Sequence, residues 1–178
     1  MMPMTDHPTT IGGIPLPSDA PLFLALIGVH IIFGLTCVLA GLAAMLSAKR
    51  PGRHPWLGTT YVWSLLGVFL TMAALSALRW AENYPLFLLG AGSFLSALLG
   101  RAARRYEWRR WAPIHIVGMS VSYLLLLTAF YVDNGKTLPL WNQLPQAAFW
   151  SLPSLIGVPI IIWQLLFHPL ARPRQEGG

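Results

Sequence analysis

From Trp56 to Leu78 the chain runs for 23 residues without one charged side chain. A helix needs about 20 apolar residues to cross the hydrocarbon core of a bilayer, so this segment alone places the chain among membrane proteins. Other runs share the property. Pro21 to Leu46 is interrupted only by His30, and Trp111 to Val132 and Ala147 to Phe167 are of spanning length. Pro85 to Gly100 is short for a span, so its helix has to begin earlier, tilt little, or let Arg101 and Arg104 snorkel toward the interface. Composition closes off the alternatives. Only 10% of the residues are charged, where a soluble domain has about 25%, which excludes an ordinary soluble enzyme. Eight Trp, eight Phe and five Tyr exclude a disordered chain. The expected fold is an all-α membrane protein, a bundle of five transmembrane helices over residues 21–168, with a flexible tail at 1–20 and a second tail at 169–178.

The distribution of charge sets the expected orientation. Lys49, Arg50 and Arg53 follow the first span, Arg101, Arg104, Arg105, Arg109 and Arg110 lie between the third and fourth, and Arg172 and Arg174 close the chain, which makes ten. The opposite side holds Arg79 and Lys136. Ten against two predicts a periplasmic N-terminus and a cytoplasmic C-terminus in a bacterial inner membrane. The formal charge of +6 is thus topological, and no nucleic-acid partner is expected. The first twenty residues carry no Lys or Arg, so they lack the basic start of a signal peptide. The single Cys37 cannot close an intrachain disulfide and reads as a small packing residue.

Spacing predicts which helix faces meet. Steps of three and four place His30, Gly34, Cys37, Gly41, Ala44 and Ala48 on one face of the first span, and Thr60, Ser64, Gly67, Thr71 and Ala74 on one face of the second. Gly92, Ser96 and Gly100 form a small-xxx-small ladder, the surface that lets membrane helices approach closely. His115, Gly118, Met119 and Ser122 share a face of the fourth span. Gly157, Ile161, Gln164 and His168 do so on the fifth, where Pro153, Gly157 and Pro159 predict a kinked or partly unwound helix.

Histidines are the candidates for chemistry. His30 lies about ten residues into the first span, where an ionisable side chain is costly and is either functional or a neutral imidazole bonded to a Ser or Thr of the second or fourth span. His54, His115 and His168 all fall at the boundary marked by the basic loops. Helix ends meeting at one depth could bring two imidazoles to opposite sides of a haem iron, with Arg53 or Arg110 pairing the propionates. His7 belongs to the tail. Asp and Glu are confined to tails and loops, which leaves no paired carboxylates in the membrane for acid–base work or a proton relay. No nucleotide-binding, zinc-protease, dithiol or serine-hydrolase motif occurs, and no catalytic residue is assigned.

His30-Ile31 with Gly34, His54 with Gly58 and Tyr61, and the run His115-Ile-Val-Gly-Met-Ser-Val-Ser-Tyr123 together resemble the bacterial membrane proteins grouped as DUF2306. The resemblance covers about residues 20 to 168 and departs from the family pattern at Pro55, where an Arg would be expected. It implies a multi-pass membrane fold with several intramembrane histidines. Two functions are expected on these grounds. One is a His-ligated redox cofactor, b-type haem or another, held by His115 with His54 or His168 for electron transfer. The other is a non-catalytic accessory subunit or assembly factor of a larger respiratory or photosynthetic complex, with His30 a structural or pigment ligand and other membrane subunits as partners.

Overall fold

The computed structural model of the protein describes residues 9–11, 14–16 and 21–167. A short antiparallel pair, β1 (Thr9–Ile11) and β2 (Ile14–Leu16), is paired Thr9 to Leu16 and Ile11 to Ile14. Five helices follow: α1 (Pro21–Leu46), α2 (Arg53–Leu78), α3 (Trp80–Arg105), α4 (Trp111–Asn134) and α5 (Gln146–Phe167). All five are long and apolar enough to cross a membrane. At 1.5 Å per residue the 26-residue helices reach about 39 Å, which exceeds the ~30 Å of hydrocarbon and extends into the headgroup layers. The chain is therefore an all-helical, multi-pass membrane protein.

Prolines locate the helix starts. Gly52, at φ 109, turns the chain into α2, whose third residue is Pro55, and α4 likewise carries Pro113 as its third residue. The missing N–H costs nothing there, because the first turn of a helix has no acceptors for its donors. The short-span problem at Pro85 is settled by an early start. Arg79 closes α2 with its N–H on Leu75 O and Ser76 O, and α3 begins at Trp80, so Trp80 to Tyr84 are helical and Pro85 forfeits one hydrogen bond near the start. The expected partial unwinding of α5 is not found: the helix is continuous through Pro153, Gly157 and Pro159. A helix in lipid has no better partner for its backbone than itself, so it keeps its turns around two prolines.

The chain divides into two compact units, residues 1–87 and 88–178, with α3 running across the division. In the first unit α1 packs on α2. The expected α1 face is largely inside, with Cys37, Ala40, Gly41 and Ala44 buried and His30 and Gly34 half-buried, but Ala48 is exposed. Cys37 is fully enclosed and its Sγ donates to Tyr61 O at 3.6 Å. The α2 face buries Tyr61, Ser64, Leu65, Val68 and Thr71. Gly67 receives the ring of Phe33, which would stand 2.6 Å from a Cβ there. The opening of α3 joins this unit through Phe87, whose ring meets Phe69 at 5.9 Å and Trp80 at 5.5 Å.

In the second unit α4 packs against the remainder of α3 and against α5. The buried row of α3 is Ser93, Ala97, Gly100 and Ala103. The expected ladder shares Gly100 with it and does approach α4, with Gly100 and Ser96 O against Gly118 and Gly92 near Leu125. On α5 the buried row is Phe149, Pro153 and Gly157; Gln164 is exposed and breaks the expected row. Gly157 takes the end of Leu124. Between α4 and α5 the chain turns at Gly135, whose N–H bonds Tyr131 O at 2.8 Å and which lies under Phe149. Lys136 bonds Leu144 O at 2.9 Å, and Tyr131 and Trp141 stack at 4.8 Å.

Candidate functional site

His54 is the second residue of α2 and is half-buried. The chain returns from α1 in six residues, too few to carry this side chain away from the helix it has just left. Its Nδ1 lies 2.9 Å from Ala44 O and 3.4 Å from Ser47 Oγ. The last four carbonyls of a helix have no partner within it. At the end of α1 they are met by imported donors, because Lys49 Nζ also bonds Ala44 O at 3.0 Å and Met45 O at 2.8 Å. Burial against the helix end lowers the Lys49 pKa from its ordinary value.

His115 occupies the second turn of α4, half-buried, with Nδ1 2.9 Å from Gly100 O. Glycines make that approach possible. A Cβ on Gly118 would lie 2.8 Å from the Cα and N of Gly100 and from Ser96 O, so the two backbones touch where the helices cross. Ser93 Oγ donates to Ser122 O at 2.8 Å further along the same contact. Beyond it, Arg104 stacks its guanidinium 4.5 Å over Trp111 and pairs with Glu107 at 3.7 Å.

His30 Nδ1 lies 2.8 Å from Thr71 Oγ1. Thr71 has one hydroxyl proton, directed at the carbonyls of Gly67 (2.8 Å) and Val68 (3.0 Å). Its oxygen is therefore the acceptor, and His30 donates through Nδ1–H. The expected bond from a first-span imidazole to a hydroxyl of the second span is present.

All three donate through the same nitrogen. A carbonyl can only accept, so His54 and His115 donate through Nδ1–H, as does His30. A metal-ligating histidine is ordinarily fixed in this way, by donating its second nitrogen to a carbonyl or carboxylate. It is equally the arrangement of a histidine that fastens one helix to the next. His54 belongs to the first unit and His115 to the second, while His168 and His7 lie outside the described residues. Among the described residues no three His, Cys, Asp or Glu side chains gather as a metal-holding group.

Two buried serines escaped the sequence reading. Ser93, fully buried, was hidden by its neighbours Gly92 and Ser96, which are equally small. Ser76, also fully buried, has no hydrogen-bond partner for its Oγ among the described residues. Nothing in the local pattern separates it from the exposed small residues of the same helix. No protein-family model, no curated protein and no solved structure matches the chain.

Proposed function

We propose that this is a bacterial inner-membrane protein, with its N-terminus outside and its C-terminus in the cytoplasm, that holds a b-type haem or a similar His-ligated redox cofactor through His115. The hydrogen bond from His115 Nδ1 to Gly100 O carries the reading: it fixes the ring through one nitrogen, as the ring of a metal-bound histidine is ordinarily fixed. The sequence offers His54 or His168 for a second ligand, and Arg53 would supply a cation for a propionate. Bound there, haem would supply one-electron transfer; the protein's part is to fix the ring planes and exclude water. The ten-to-two division of basic residues supports the orientation.

A second reading is favoured by His30 and by the donors gathered at Ala44. Each of His30, His54 and His115 ties its helix to another, as expected of a non-catalytic subunit or assembly factor in a membrane complex, with no cofactor needed. One measurement divides the two. Protein produced with haem supplied and purified in mild detergent should show a Soret band and an α band on dithionite reduction. His115→Ala should abolish both bands, and His30→Ala should keep them at reduced thermal stability. A featureless spectrum from folded protein rejects the redox reading and leaves the second. Loss of the band in His30→Ala alone would move the ligand to the other half of the bilayer.

A further inference from the structure

The second unit contains a groove of about 480 Å³ that neither reading uses, lined by Ser96 and Leu99 of α3, Pro113, Ile114, Val117 and Val121 of α4, Leu165 of α5, and Arg110 at the start of α4. This volume is within the range of about 300–1,000 Å³ typical of small-molecule sites. Its character is uneven along its length. Apart from Ser96 and Gly118 the walls are aliphatic up to one end, which carries the cation Arg110 at the start of α4. The Arg110 side chain has no ion-pair or hydrogen-bond partner among the described residues, whereas Arg104 is engaged by both Trp111 and Glu107. Val117, at the middle of the wall, is exposed. The groove therefore presents an apolar channel below an uncompensated positive charge, with the charge at headgroup depth. His115 does not line it.

We propose that this groove is a binding site for an anionic phospholipid of the leaflet on the arginine-loop side, with one acyl chain between α3, α4 and α5 and the phosphate against Arg110. The charge selects the headgroup. A zwitterionic lipid fills the channel equally well but brings its own cation to Arg110, whereas phosphatidylglycerol brings a net negative charge. A basic residue near a membrane surface contributes about 1 kcal/mol toward anionic lipid, or roughly fivefold in affinity. The site is separate from the proposed haem ligand and stands whether or not haem is bound.

Native mass spectrometry of the full chain in detergent, titrated with phosphatidylglycerol or phosphatidylcholine, tests this. Phosphatidylglycerol should bind about fivefold more tightly. Arg110→Gln, an exposed change that leaves the helices intact, should remove that preference, and Arg109→Gln should not. Val117→Trp, checked for folding by its melting temperature, should fill the channel and weaken both lipids. Equal binding of the two lipids, or an unchanged preference in Arg110→Gln, overturns the proposal. So does a second copy of the chain retained in place of lipid and lost in Val117→Trp, which would make the groove a protein interface.

Discussion

Both units use glycine to bring two helices together, but for different neighbours. Between α1 and α2, Gly67 opens a notch for the ring of Phe33, a side chain that is itself partly exposed and can swing outward. Between α3 and α4, Gly118 makes room for the backbone of Gly100 and Ser96, which cannot rotate out of the way. Hydrogen bonds do not separate the pairs: His54 and Cys37 donate to the carbonyls of Ala44 and Tyr61 in the first, as Ser93 and His115 do to those of Ser122 and Gly100 in the second. Closeness obtained from a rotamer can be renegotiated, and closeness obtained from two main chains cannot.

This contrast predicts a ranking. Gly118→Ala should cost the most, about 2–3 kcal/mol in a reversible detergent or bicelle unfolding assay, because overpacking against backbone has no local relief. Parent-like stability for this variant would erase the distinction between the two contacts. Gly67→Ala should cost no more than about 1 kcal/mol, since Phe33 can move and the helix gains the roughly 0.8–1.0 kcal/mol by which Ala exceeds Gly in helix propensity. The comparison sharpens if Phe33→Ala, combined with Gly67→Ala, removes the remaining penalty. The smallest effect is the coupling between His30 and Thr71. A double-mutant cycle of His30→Ala and Thr71→Val should return about 0.6 kcal/mol, the average for side-chain hydrogen bonds measured within a membrane. A coupling near zero would show that the two side chains hold their places independently of the bond between them.

How far the sequence could be read depended on which solvent did the sorting. Bilayer thickness acts on composition alone, so the bounds of α1 are recovered to the residue, and those of α2, α4 and α5 to within three residues. The start of α3 was harder to place, because Arg79 to Tyr84 looks interfacial, and a helix that projects into the headgroup layers is interfacial in composition there while remaining helical. Lipid gives little help in deciding which side of a helix faces a neighbour. In water an inward face is apolar and the outward one polar, whereas here Gly92, Ser93, Ser96 and Ala97 are all small, and the fully buried Ser93 and Ala97 stand beside the expected ladder unmarked by polarity. Gln164 shows the same weakness: polarity suggested the inside, and it is exposed. The partner of His30 was legible because an imidazole in an apolar layer has few options, and a threonine one helix away at matching depth was among them.

The link between α2 and α3 is the single residue Arg79, ion-paired with Glu82 at 2.8 Å. In the proposed orientation, with the N-terminus outside, this tight turn has to be carried across the membrane during insertion, and the two helices must pass as a hairpin, because no loop is available to let one go before the other. Moving an unpaired positive charge outward against a potential of 100 mV costs about 2.3 kcal/mol. Arg79 makes that passage beside a carboxylate one helical turn away, so the turn crosses with no net charge and the membrane potential does no work against it. The ion pair is of little consequence to the finished fold, exposed as it is, but it makes the hairpin electrically neutral to translocate.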